Sequence, residues 1–282
     1  MKAALGRSLV VALAVLAADG CAGNSEKEAV RRVQVAAGID HPEWSRLLAK
    51  YVDEQGRVDY VSWKGTEADL AALRTYLGRF AARPNPAATG HDLAASLINA
   101  YNAATIGWVL ENLPIESIRS TDDPFRKRRH QIGGEIASLD DIEHGTLRPL
   151  VGYRVHAALV CAARSCPPLR REAFGAQRLD EQLDSAMRTW LARGDLNRIR
   201  HVENRIRVSP IFRWFAEDFE KTGGVRAVLQ RYTPPETARR LADPRLEIEY
   251  LRYDWGLNDL GERGARYGRI RRYWDELRNR FR

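Results

Sequence analysis

The chain has 282 residues, 44% of them hydrophobic and 29% charged, and that balance excludes collagen-like and wholly disordered classes. Its 45 Lys and Arg against 37 Asp and Glu give a formal charge of +8, a sign that suits an anionic partner without naming one. Trp, Tyr and Leu are spread evenly, so the length reads as one large domain with additions at its ends.

Lys2 and Arg7 open a basic start, Leu9 to Ala18 is an uninterrupted apolar run, and small residues lead to Cys21. The run is about half of the roughly 20 residues a membrane-spanning helix needs, so residues 1–20 read as a signal peptide. Gly20-Cys21 fits the bacterial lipoprotein pattern, in which the cysteine carries a thioether-linked diacylglycerol, although Ala18 and Asp19 depart from the residues that pattern has there. Lipidation at Cys21 is the expectation, with the protein facing the periplasm from the outer membrane in preference to the inner; conventional cleavage and a soluble periplasmic product is the alternative. Residues 21–40, charged and weakly patterned, are expected to be a tether, and folding is expected to begin near His41.

Trp44, Leu47, Leu48 and Tyr51 recur at helical spacing, and Val52 and Val58 flank Gly56 as a hairpin turn. Leu70, Leu73, Tyr76, Leu77 and Phe80 mark an amphipathic helix that Arg83-Pro84-Asn85-Pro86 ends. Leu93 to Leu110 is Ala-rich and apolar on all sides, which predicts a buried central helix interrupted by Asn99 and Asn102. Gly133-Gly134 predicts a tight turn between short strands, and Ser138 three residues ahead of Asp141 predicts a capping box opening a helix that carries Glu143 and His144. Val155 to Ala162 reads as a buried strand, and Arg164-Ser165-Cys166-Pro167-Pro168 as the loop leaving it. Leu179, Leu183, Met187 and Leu191 mark a further helix, Arg205 to Ser209 a short strand, and Ile211 to Phe219 an aromatic segment. This mixture predicts an α+β fold in a single domain over residues 41–260.

His144, His156, Cys161 and Cys166 fall within 23 residues, beside Asp140, Asp141 and Glu143. A thiol nucleophile needs a base or positive field that favours thiolate, and a third group that orients the base. Cys166 fits the nucleophile, His144 the base, and Asp140 at i,i+4 or Asn102 the orienting group; Glu143 points away on the same helix, towards substrate or an arginine. Tyr101 and Trp108 read as core. Two cysteines with four residues between them in an exported chain equally allow a Cys161–Cys166 disulfide, which removes the nucleophile. The spacing of His156, Cys161 and Cys166 matches no common zinc pattern, so neither a metal nor a cofactor is expected. Asn99 and Asn102 share one face of a buried helix and must find partners, in neighbouring backbone or in the site.

The run Leu97-Ile98-Asn99-Ala100-Tyr101-Asn102-Ala103, then Ser138-Leu139-Asp140-Asp141-Ile142-Glu143-His144, then His156 to Leu169 with both cysteines resembles domain of unknown function 547. Gly56-Arg57-Val58-Asp59-Tyr60 resembles that family's opening, and Ser209 to Phe215 with Tyr253 to Asn258 its close. The resemblance implies a common fold and a shared set of polar residues, among them Asn99, Asn102, Glu143, His144, His156, Cys161 and Cys166, without implying a reaction.

Residues 261–282 hold eight Arg against three acidic residues, and Tyr267, Ile270, Trp274, Leu277 and Phe281 draw one apolar stripe along them. This basic amphipathic helix is expected to lie on an anionic lipid surface or to dock on protein; nucleic acid is not an expected partner, since export removes it. Two functions are carried forward: a thiol-dependent hydrolase or acyltransferase on an envelope amide or ester, and a non-enzymatic envelope binding or scaffold protein with a structural disulfide.

Overall fold

Trp44, Leu47, Leu48 and Tyr51 are the buried face of the first helix, α1 (Pro42–Tyr51), in the computed structural model, which describes residues 29–199 and 204–260. Asp59 caps α2 (Tyr60–Lys64) by accepting from the Ser62 N–H, and α3 (Glu67–Gly78) follows with Leu73 and Tyr76 inward. The Ala-rich run forms α4 (Gly90–Asn112), in which every residue from Leu93 to Gly107 is buried. A helix apolar on all sides has no solvent face to offer, so α2 and α3 pack on it and α1 packs in turn on α2 and α3. α4 is long and apolar enough to cross a membrane, but it lies inside the protein as its core helix.

The Gly133-Gly134 turn joins β1 (His130–Ile132) to β2 (Glu135–Ala137) as an antiparallel hairpin. A π-helix (Asp141–Leu147), α5 (Arg148–Val151) and a 3₁₀ segment (Gly152–Ala157) then run continuously against α4 and towards α6 (Leu179–Ala192). Beyond lie β3 (Arg205–Val208), α7 (Ile211–Trp214), α8 (Ala216–Glu220), α9 (Gly224–Tyr232), α10 (Pro235–Leu241) and β4 (Glu247–Tyr250), with β3 and β4 parallel. Helices and a few short strands make one α+β domain, as the patterning predicts. Its apolar residues form two clusters, one around α4 and one around Trp190, Phe212 and Phe219, and Tyr253 packs against both.

Two expectations fail. Val155–Ala162 is not a strand, because the Asn102 side chain does the work of a strand partner: it donates to the Ala158 carbonyl at 2.9 Å and accepts from the Val160 N–H at 2.9 Å. Part of the expected tether is also folded, since Val33 and Val35 are buried, the Val33 N–H reaches Thr146 Oγ1 at 2.8 Å and the Ala88 N–H reaches the Val35 carbonyl at 2.9 Å. The alternation of Val33 and Val35 was the sequence signal for it. Cys21 and the basic tail lie outside the described residues.

Gly56 turns the chain between the bridged Val52 and Val58 at φ +77°, and a Cβ on it would lie 2.6 Å from Pro168 Cα. Gly56→Ala is therefore expected to cost at least about 1–2 kcal/mol from the left-handed backbone alone. A lower denaturation midpoint is the readout, and an unchanged one would show that the turn yields rather than resists.

Candidate functional site

Ser138 and Asp141 satisfy each other at the entry to the π-helix: the Ser138 N–H donates to Asp141 Oδ2 at 3.0 Å, and the Asp141 N–H to Ser138 Oγ at 3.0 Å. Burial raises the Asp141 carboxyl, but hydrogen bonds from Arg128, Ser138 and Arg31 outweigh it and hold the group at about 2. Inside the wide turn, a Cβ on Gly145 would lie 2.7 Å from the Arg31 carbonyl carbon, so glycine lets the N-terminal segment close over the π-helix. Single π turns are rare and recur at functional sites, and this one carries Glu143 and His144.

Glu143 is half-buried, and burial pushes its carboxyl up to about 7. The Asp140 carboxylate adds to the rise, while Arg148 and the Tyr101 hydroxyl beside it oppose it. A carboxyl poised there can both give and take a proton near neutral pH. Burial first, and the charge of Glu143 second, push the Tyr253 phenol well above its ordinary value, so Tyr253 stays protonated and serves as a donor.

His144 is occupied. Arg148 Nη1 lies 2.9 Å from its Nδ1, and Nε2 is 3.9 Å from Asp140 Oδ1, an ion-pair separation too long for a hydrogen bond. Since a guanidinium only donates, the one free imidazole lone pair points at Arg148 and not at sulfur. Burial and the Arg148 charge hold His144 neutral against the pull of Asp140. His144 is thus not placed as the base for Cys166, and Asp140 does not orient it by a hydrogen bond.

Arg148 leads inward. Its Nε donates to Asp218 Oδ2 at 2.6 Å, and His156 Nε2 reaches the same oxygen at 2.8 Å. Burial raises the Asp218 carboxyl, but the His156 and Arg148 hydrogen bonds overcome it and hold the group well below the usual carboxylate range. His156 is kept neutral chiefly by burial and stacks on Phe215 with ring centroids 4.0 Å apart. It therefore belongs to the support of the site and not to a binding face.

Cys161 and Cys166 form a disulfide. Of the two alternatives open in the sequence this is the one observed, and in this state neither sulfur is a nucleophile. Cys166 Sγ accepts the Cys161 N–H at 3.1 Å, and the Tyr253 hydroxyl sits 3.2 Å from Cys166 Sγ and 3.3 Å from Cys161 Sγ.

Both asparagines are structural. Asn99 pairs with the Phe174 backbone in both directions, at 2.8 and 3.0 Å, and Asn102 with Ala158 and Val160, so Asn102 orients no imidazole. What residue-by-residue chemistry passed over is Tyr101, Arg148, Asp218 and Tyr253. Tyr253 lies in the stretch Tyr253 to Asn258 that carried the resemblance, whereas Asp218 sits among aromatic residues without a motif of its own.

Residues 88–191 match the model of a family described as Protein of unknown function, DUF547. That match begins just ahead of α4 and takes in the π-helix, the cysteine loop and α6. No curated protein and no solved structure matches the chain.

Proposed function

We propose, for a chain whose residues 88–191 belong to the DUF547 family, a thiol-dependent hydrolase or acyltransferase that acts on an amide or ester in the cell envelope. One observation carries the reading: two donors, the Cys161 N–H and the Tyr253 hydroxyl, converge on Cys166 Sγ, and the same Tyr253 phenol feels the charge of Glu143, a carboxyl tuned to about 7. In the reduced protein the same donors face a thiolate, which is how a cysteine is made nucleophilic. Cys166 attacks the carbonyl carbon, the leaving amine or alkoxide departs with the proton of Glu143, and a thioester remains on Cys166. Water or an acceptor amine or alcohol then attacks that thioester while Glu143 takes back a proton, and the Cys166 thiolate leaves. Glu143 thus holds the acid–base role assigned to His144 on sequence grounds, and Arg148 and Asp140 set its charge. Envelope placement rests on the signal-peptide-like start, lipid attachment on Cys21, and contact with anionic lipid on the basic tail.

The disulfide itself favours a second reading, an envelope binding or scaffold protein in which the bond is a permanent staple. Reduced full-length protein, assayed on generic esters, thioesters and amides, separates the two. Cys166→Ser in the reduced protein is expected to lower kcat/KM by at least about 100-fold, the scale of losing an activated nucleophile. Hydrolysis indifferent to that substitution, or absent from the reduced protein altogether, returns the assignment to a binding protein.

A further inference from the structure

The two sulfurs of the disulfide are not equivalent. Cys166 is buried, with 4% of its surface exposed, whereas Cys161 is half-buried. Hydrogen-bond donors favour the inner sulfur, which alone has the backbone N–H of Cys161 at 3.1 Å and shares the Tyr253 hydroxyl, at 3.2 Å. The loop between the cysteines is also anchored independently of the bond. The Arg164 N–H donates to the Gly256 carbonyl at 2.8 Å, the Asn258 N–H to the Ala162 carbonyl at 3.1 Å, and the Asp254 N–H to Ser165 Oγ at 2.8 Å. Breaking the S–S bond therefore leaves Cys166 Sγ under its donors instead of releasing the loop.

We propose that the Cys161–Cys166 bond is a latch that an exported dithiol opens by attack at Cys161, with Cys166 as the leaving thiolate. A thiolate of the dithiol bonds to Cys161 Sγ, the S–S electron pair passes to Cys166, and the negative charge forms where the Cys161 N–H and the Tyr253 hydroxyl await it. The second thiol of the dithiol, as thiolate, then attacks the reductant's own sulfur in the mixed disulfide. The reductant leaves as a cyclic disulfide, and the Cys161 thiolate takes a proton from solvent. Two electrons move from the dithiol to the protein disulfide, and nothing else is consumed. A more stable leaving thiolate leaves faster, so the two hydrogen bonds at Cys166 choose the direction of attack.

The consequence of this latch for activity rests on the hydrolase reading; the exchange itself does not. Folded oxidised protein is treated with glutathione, a monothiol, quenched with an alkylating agent, and the adducts located by peptide mass. Glutathione on Cys161 with an alkylated Cys166 is expected to exceed the reverse arrangement by at least about tenfold, the preference a difference in leaving-group stability of this kind gives. Dithiothreitol is expected to complete the reduction without denaturant, and Tyr253→Phe to slow it by about threefold to tenfold, the worth of one hydrogen bond. Adducts chiefly on Cys166, or a bond that opens only in denaturant, overturn the latch. Near-ultraviolet circular dichroism reports whether Tyr253→Phe has folded, and if it has not, the wild-type adduct ratio still decides. Selective attack at Cys161 in a protein with no thiol-dependent hydrolysis keeps the latch and removes the hydrolase. Thiol-dependent hydrolysis with attack at Cys166 does the opposite.

Discussion

Glu143→Gln is expected to abolish hydrolysis by the reduced protein and, at the same time, to make the fold more stable above neutral pH. Gln is isosteric and can still meet the Tyr101 hydroxyl, but it can neither give nor take a proton, and positioned acid–base groups contribute about 10²- to 10⁴-fold to kcat. The stability gain follows from the same burial that tunes the site. Glu143 has its folded pKa raised from an ordinary 4.5 to about 7, so between those values the folded state holds a proton that the unfolded state has lost. Stability therefore falls as pH rises from about 4.5 through about 7, and the loss is complete above the folded pKa. At 1.36 kcal/mol for each full unit, and with solvent reaching part of the side chain, the loss is on the order of 1–3 kcal/mol. Denaturant midpoints of the two proteins are expected to agree near pH 4.5 and to separate towards pH 8, with Glu143→Gln the more stable. The kcat/KM profile of the reduced wild type is expected to show a limb near pH 7. If Glu143→Gln loses stability at pH 8 and keeps its turnover, the carboxylate is a structural acceptor and the proposed chemistry has no proton carrier.

Much of the frame is legible in the residues because it follows from local pattern. The all-round apolar stretch of Leu93–Leu110 has nowhere to go but the core, Gly133-Gly134 makes the hairpin, and Ser138 and Asp141 close the cap they announce. The failures occur where a side chain takes a backbone's place. Val155–Ala162 has the composition of a strand, but Asn102 supplies the partner groups, and nothing in a linear pattern shows an amide from 58 residues away meeting the Val160 N–H. The site divides in the same manner. Glu143, His144 and the cysteines are visible as reactive residue types, and Asp140 and His144 do approach at i,i+4 spacing. Which of them can move a proton is decided by Arg148, which occupies the His144 lone pair, and by the burial that lifts Glu143. Arg148 lies one turn beyond His144, so its proximity was readable; that it would face the imidazole and not solvent depends on Asp218, 70 residues onward.

Asp218→Ala is expected to be the most destabilising single change in the site, at about 3 kcal/mol, because it removes the buried carboxylate that answers the half-buried Arg148 charge and the buried His156 N–H. Asp218 is 4% exposed and is the shared acceptor for Arg148 and His156, whose side chain is itself 2% exposed. Asp218→Asn keeps an acceptor while losing the charge, so it is expected to cost less than Asp218→Ala, and the order of the two separates charge from hydrogen bonding. Acid has the same effect on the wild type. The folded pKa of Asp218 lies below its unfolded value, so its contribution is present above that unfolded value and is lost as pH falls through the folded one. The histidines begin the decline earlier: His156 is depressed by burial, and His41 and His130 are held at about 4, so each resists the proton that the unfolded state takes up below 6.5. Stability is thus expected to fall in two stages on acidification, first below about 6.5 as unfolded histidines protonate, then below the ordinary carboxylate range as Asp218 does. Glu143 works in the opposite sense between about 4.5 and 7 and flattens the first stage, so Glu143→Gln should steepen it. An Asp218→Ala protein within about 1 kcal/mol of wild type at pH 7 would place the pair in the class of solvent-screened ion pairs.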